Sequence, residues 1–167
     1  MTFEWKRGIL ESDSKRDRGE KGVKERTKIL NHMIAKTDRT DNELWLPLWM
    51  HSYDTAGVME YLYHNWVPPA AIKVICKDMG EEMGLKVCLF LAYCHDTAKM
   101  TYEFQSNISE GVKIIREAII QEGIKLIDPK KLTNRISHSL CGEGILRKYG
   151  VPIGISVIVG SHHGKTP

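Results

Sequence analysis

The chain has 167 residues, the size of one ordinary domain, and is 42% hydrophobic and 27% charged. No apolar run approaches the roughly 18 residues that a membrane span requires, and the N-terminal residues do not form a signal peptide. A net charge of +3 permits a phosphate-bearing partner but does not require one. We therefore expect a globular, cytoplasmic protein with no membrane partner and with its four cysteines reduced.

Residues 11–28 carry twelve charges in eighteen positions and one aliphatic side chain. Such a stretch buries too little apolar surface to offset the entropy lost on ordering. This composition predicts a charged, partly mobile N-terminal segment over residues 1–34, ending in a short helix over residues 25–34. The remaining residues, 35–167, are expected to form one domain.

The rest of the chain has helical periodicity, with proline and glycine at the ends of the apolar stretches. The pattern predicts helices over residues 47–65, 68–77, 85–94, 107–123, 137–149 and 152–161, and a helical restart at Asp128–Pro129. No stretch offers a partner strand to residues 155–159, which are β-prone. The predicted fold class is all-α.

Three local features lead to more specific expectations. Asn107 followed by Glu110 resembles a capping box that starts a helix. The run 85–94 is apolar on most faces, which predicts a central buried helix. For the aromatic residues Trp45, Trp49 and Tyr53, we expect core packing rather than stacking on nucleobases.

Five of the seven histidines fall near predicted helix ends, and an acid follows one of them: His51, His95 with Asp96, His138, His162 and His163. Imidazole nitrogen combined with carboxylate oxygen suits divalent transition metals of the Mn, Fe, Co or Ni class. We expect no ligand role for the other two, because His32 lies at the edge of the charged region and His64 has no acid or second histidine beside it.

The pair His95–Asp96 follows an apolar run, so an unpaired carboxylate there would be costly. Adjacent helical residues point about 100° apart, so two ions could share Asp96 while only one contacts His95. The pair His162–His163 repeats this arrangement at the end of another apolar helix. Spacing alone leaves open whether these residues bind metal.

Four motifs in order resemble the HD nuclease domain of the CRISPR-associated nuclease-helicase of type I systems. They are Leu44–His51 followed by Asp54–Ala56, Ala92–Lys99 followed by Phe104–Gln105, His138–Glu143, and Gly160–Gly164. The resemblance runs from about Ala35 to the last residue.

The resemblance implies an HD-domain helical bundle around a two-metal site. His51, His95 and Asp96 would hold the first metal. Asp96 would also bridge to a second metal held by His138, His162 and His163. Asp96 and Lys99 would be catalytic, with Lys99 approaching the scissile phosphate.

The sequence departs from the family pattern in two ways. Thr97–Ala98 stands where the family usually has Ile-Gly, which affects fine positioning only. The family also supplies a further Asp ligand to the first metal and then a helicase, whereas this chain stops at Pro167. We interpret residues 35–167 as a C-terminally truncated HD nuclease domain without its helicase, with weak activity.

The implied function is cleavage of single-stranded DNA in CRISPR interference, an antiviral defence. The implied partners are single-stranded DNA and, through the full-length protein, the CRISPR effector complex. Two alternatives remain at this stage: an HD-family phosphohydrolase of small nucleotides, and a non-catalytic recruitment module.

Overall fold

The computed structural model describes residues 30–38, 40–41, 44–109, 113–131 and 136–164. The predicted helical fold is confirmed, because α-helices dominate these residues. They are α1 (Leu48–Asn65), α2 (Pro69–Cys76), α3 (Glu81–Cys94), α4 (Tyr102–Ile108), α5 (Lys113–Gln121), α6 (His138–Lys148) and α7 (Ile153–Gly160). Short 3-10 helices span Thr97–Met100 and Pro129–Lys131. Residues 1–29, which hold most of the predicted charged segment, lie outside the described residues.

A small antiparallel sheet, which the sequence analysis did not predict, joins β1 (Ile34–Thr37) to β2 (Trp45–Pro47). The carboxylate of Asp38 lies where β1 ends and accepts hydrogen bonds from the backbone N–H groups of Thr40 and Asp41. These strands have four and three residues, too few to show in the sequence the alternation of apolar and polar side chains that indicates a strand. The proline expected in the first helical turn ends β2 instead, a position where a missing N–H is tolerated.

The helix around the third motif begins and ends close to the predicted residues. The hydroxyl of Ser137 caps α6 by accepting a hydrogen bond from the N–H of Leu140 at 3.3 Å. Gly150 follows that helix with a φ of 83°, a conformation that glycine adopts without a Cβ clash.

Two expectations about the central helices were wrong. Asn107 lies inside α4, whose cap is Thr101, so it does not start the next helix; residues 110–112 lie outside the described residues. The α3 helix is not centrally buried, because only Gly84 and Ala92 on it are buried while Phe90 is 39% exposed. None of the described helices combines the length and apolar character needed to cross a membrane.

Contacts divide the chain into two compact units, Met1–Met50 with Lys99–Arg135 and His51–Ala98 with Ile136–Pro167. In the first unit a core forms around four buried side chains: Ile34, Trp45, Ile115 and Ile119. The core role expected for Trp45 is therefore confirmed. The same expectation was wrong for Tyr53, which is 63% exposed and meets the ring of Tyr93 edge to face.

The second unit contains the pairs of helices that carry most of the candidate ligands. Here α6 packs closely along α7, α2 packs against α3, and α3 also contacts α7. These contacts bring the end of α3, the start of α6 and the end of α7 into one region of this unit.

Candidate metal centre

Asp96 is at the centre of the site and is buried, with only 3% of the residue exposed. It follows His95, the C-cap of α3, so its position is fixed by the end of that helix. A buried carboxylate needs hydrogen bonds, a paired positive charge or a metal. Imidazole nitrogens from four histidines surround its two oxygens.

Two histidines face one oxygen of this carboxylate, and we call them the Oδ2 group. The Nε2 atom of His51 lies 2.9 Å from Asp96 Oδ2, and that of His95 lies 3.1 Å from the same oxygen. His51 lies in the first turn of α1 and is distant in sequence from His95 and Asp96. It therefore joins these two residues through the packing of the chain.

Three histidines lie on the side of the other oxygen, and we call them the Oδ1 group. The Nε2 atoms of His138 and His162 lie 3.1 Å and 3.5 Å from Asp96 Oδ1. The Nε2 atom of His163 lies 2.9 Å from that of His138. His138 is the first residue of α6, and the other two lie in the turn after α7.

Backbone carbonyls fix the tautomer of one histidine in each group. The Nδ1 atom of His95 donates to the carbonyl of Ala92 at 2.7 Å, and that of His162 donates to the carbonyl of Val159 at 2.7 Å. A carbonyl only accepts, so in each neutral ring the Nε2 atom is left with a lone pair directed at the Asp96 carboxylate. Two acceptors that face each other are stabilised by a cation between them. The same carbonyl bond orients metal-binding histidines in proteins.

The electrostatics of His162 favour its neutral form. Burial lowers the pKa of this imidazole, an effect that the Val159 carbonyl partly opposes. Its Nε2 atom is buried and has no hydrogen-bond partner among the described residues. A buried nitrogen with a free lone pair is the form that binds a transition metal.

The donors fit a metal by both chemistry and spacing. The ligand atoms of His51, His95 and Asp96 lie within 4.8 Å of one another, and so do those of the three residues of the Oδ1 group. Two ligands held about 2.0–2.1 Å from one ion lie roughly 2.9–3.4 Å apart, depending on the angle between them. The distances between neighbouring donor atoms found here, 2.9 to 3.5 Å, are close to that spacing.

The remaining histidines of the described residues and the thiol nearest the site are not part of the two donor groups. His32 and His64 belong to neither donor group of the described residues. The thiol of Cys94 precedes the His95–Asp96 pair, but burial raises its pKa, so it stays protonated at neutral pH and is a poor metal donor.

Lys99, to which the resemblance assigns a catalytic role, is buried in the first unit. Its Nζ donates to the carbonyl of Ala35 at 3.2 Å and lies 5.5 Å from the centre of the Phe104 ring. The buried amide of Gln105 accepts from the N–H of Ile34 at 3.0 Å and donates to the carbonyls of Ile34 and Lys99. The backbone and side chain of this lysine are thus held by β1 and by the start of α4.

The sequence analysis gave no role to three residues of the third and fourth motifs. Gly142 and Glu143 lie on α6 and Gly160 ends α7, and all three are buried where these helices meet. Their proximity in sequence to the histidines was the available signal, but only the structure shows what they contact.

A helical fold in which one buried aspartate lies between two groups of histidines is that of an HD-type protein, whose donors could hold a metal. The model of the family described as "Cas3, HD domain" matches residues 35–167, and the chain belongs to this family. HD domains bind divalent metals, and both donor groups of this chain could hold one.

One curated relative is the CRISPR-associated nuclease/helicase Cas3 of Streptococcus thermophilus, which is 29% identical over 143 residues. The alignment covers 78% of this chain but 15% of that protein, so the chain spans a small part of the length of this relative. No solved structure matches the chain.

Proposed function

We propose that the chain is a metal-dependent nuclease domain that cleaves single-stranded DNA in CRISPR interference. The observation that carries the proposal is the buried Asp96, whose two oxygens face two separate groups of imidazoles. Two cations joined by one carboxylate suit phosphodiester hydrolysis. The family and the name of its nuclease/helicase relative support this choice of reaction.

Each donor group would hold one divalent ion, of the Mn, Fe, Co or Ni class favoured by nitrogen and carboxylate donors. His51 and His95 would bind one ion with Asp96 Oδ2, and the three histidines of the Oδ1 group would bind the other with Asp96 Oδ1. When bound, such a pair lowers the pKa of an attacking water and neutralises charge on the phosphoryl oxygens.

The residues of the chain contribute orientation and charge. The carbonyls of Ala92 and Val159 hold His95 and His162 with their Nε2 lone pairs directed inward. Asp96 supplies the negative charge that lets two cations lie close together. Lys99 is proposed to place a point charge beside the scissile phosphate, which would stabilise the charge that develops there.

The proposal extends to partners and location. The substrate strand would be the DNA displaced when a guide RNA pairs with its target, and the CRISPR effector complex would recruit the full-length protein. The site of action would be the cytoplasm, where the thiols of the chain stay reduced.

The test is cleavage of circular single-stranded DNA by the 167-residue chain with added Mn²⁺, Co²⁺ or Ni²⁺. Circular DNA has no ends, so a linear product requires an internal cut. Asp96→Asn removes the bridging charge at nearly constant shape, and Asp78→Asn changes an exposed carboxylate of the same unit as a control. We expect cleavage by wild type and Asp78→Asn, and none by Asp96→Asn.

The same preparations are assayed on linear single strands and on deoxynucleoside mono- and triphosphates. Cleavage of linear but not circular strands would show that the domain acts as an exonuclease and makes no internal cut. Hydrolysis of the nucleotides without any cleavage of DNA would overturn the proposal in favour of a small-nucleotide phosphohydrolase. Inactivity on all substrates despite full metal loading would favour a non-catalytic recruitment module.

A further inference from the structure

The glycines of α6 and α7 differ in what surrounds them. A methyl group on Gly160 would lie 2.5 Å from Oε2 and 3.1 Å from Cβ of Glu143, so the side chain of Glu143 would have to shift. A methyl group on Gly142 would lie 3.4 Å from Val159. In contrast, Gly144 on α6 and Gly154 on α7 face open space. Among these four glycines, only Gly160 lacks room for a methyl group, because at Gly142 the methyl would make an ordinary van der Waals contact.

The buried partner of Gly160 is an acidic side chain with no role in the proposed chemistry. The side chain of Glu143 is only 10% exposed, and its Oε1 accepts a hydrogen bond from Arg147 at 3.4 Å. Its Oε2 lies against the last residue of α7. A carboxylate packed this closely onto a helix end holds that end in place.

The turn fixed by this contact carries two of the candidate ligands. Gly160 ends α7, and His162 and His163 follow within three residues. The same helix that presents Glu143 begins at His138, so one contact joins the two segments of the Oδ1 group. The nearest contacts of the Oδ2 group involve α1 and the end of α3 instead.

We propose that Glu143 and Gly160 are positioning residues that set the spacing of the Oδ1 group and thereby the affinity of that metal position. The inference rests on the proposed function, because it concerns the same site. It predicts that damage to this contact weakens one metal position and leaves the other unchanged. A contact that only stabilised the fold would weaken both.

The test is a Co²⁺ titration of the full 167-residue chain, followed by visible absorption and calorimetry. Gly160→Ala is compared with Gly154→Ala, an identical change in the same helix where the new methyl meets nothing. We expect Gly160→Ala to weaken one Co²⁺ position by roughly 10–100-fold, the range found for groups that orient ligands. Gly154→Ala should match wild type. Equal affinities in the two variants, or equal weakening of both positions, would overturn the inference.

A second variant tests the contact itself. Glu143→Ala removes the carboxylate that the new methyl would strike, so Glu143→Ala combined with Gly160→Ala should bind Co²⁺ more tightly than Gly160→Ala alone. Such rescue is a coupling between neighbouring residues. Independent effects of the two changes would contradict the assignment.

A third measurement needs no metal and no activity. In metal-free protein the Nδ1–H proton of His162, bonded to the Val159 carbonyl, should exchange slowly with solvent and be visible by NMR. Gly160→Ala should speed its exchange, with an unchanged helical circular-dichroism signal, whereas the matching proton of His95 should be unaffected. Unchanged exchange at His162 would overturn the inference. Failure of DNA cleavage with normal Co²⁺ results would overturn only the proposed nuclease function.

Discussion

The C-terminal ends of α3 and α7 each supply two adjacent candidate ligands. The first of the two is held in the same way at both ends, and the second differs. At the end of α3 and after α7, the first histidine of the pair donates its Nδ1–H to a carbonyl three residues earlier, at 2.7 Å in both. The second residue is Asp96 in one pair and His163 in the other. The first is buried and contacts both groups, whereas the second is exposed and contacts His138.

This difference predicts that the two proposed metal positions are unequal, although the two helix ends are similar. Each pair recruits one histidine from a distant helix, His51 or His138. If Asp96 serves both proposed positions, the Oδ2 position would have three protein donors and the Oδ1 position would have four. We therefore expect the Oδ1 position to bind metal more tightly.

The largest expected effect comes from Asp96→Asn, which removes the carboxylate that both proposed positions would share. The amide keeps one acceptor oxygen and loses the charge, so both positions should weaken and nuclease activity should fall more than about 100-fold, beyond the loss typical of outer groups. Metal content by mass spectrometry and a DNA cleavage assay measure this. Wild-type metal content in this variant would contradict the bridging role.

Lys99→Met should affect neither proposed metal position, which would separate the charge proposed beside the phosphate from the metal ligands. Activity should fall by about 10²–10³-fold, the range for loss of one stabilising donor. Met cannot donate to the Ala35 carbonyl, so we also expect a loss of about 1–3 kcal/mol in the free energy of unfolding. Denaturant unfolding and a metal titration, run beside the cleavage assay, check both expectations. Full activity in a stably folded variant would assign this lysine to structure alone.

Single ligand substitutions should reveal the inequality of the two positions. His138→Ala should weaken the tighter position and His51→Ala the weaker one, each by more than about 10-fold. His64→Ala, in neither group, serves as the control and should leave metal content unchanged. Calorimetric titration would resolve the two binding events. Two equally tight positions in wild type would refute the inequality.

The smallest expected effect is the dependence of the free energy of unfolding on pH. Burial lowers the pKa of His162, so in metal-free protein this imidazole should become protonated below 6.5, the ordinary value. Since the unfolded chain binds this proton more tightly, the stabilising contribution is present above pH 6.5 and is lost as pH falls through the lower folded pKa. NMR titration and unfolding at pH 7.5, 6.5 and 5.5 test this, with His162→Ala as the variant that should lose the acid dependence. A folded pKa at or above 6.5 would show that burial does not dominate.

The sequence by itself determined most of the helices and the donor types, but not the helix α4 that contains Asn107. Helix ends at Ser137 and Gly150 follow from short-range capping and backbone preferences, which sequence patterns contain directly. The pairs of adjacent ligands could also be found, because an apolar run followed by His-Asp or His-His is local. The strand pair β1–β2 could not, because its pairing depends on contacts rather than on a periodic pattern.

Only the tertiary structure decided which donors meet and what holds them. His51 and His138 reach Asp96 through the packing of helices distant in sequence, and the division of donors between Oδ1 and Oδ2 depends on ångström-scale distances. The need for glycine at position 160 and not at 154 is likewise invisible in the sequence. Both glycines lie in the same apolar helix, and only the neighbouring side chain of Glu143 distinguishes them. Local patterns record backbone preferences, whereas the contacts that complete a site are set by how separate segments pack.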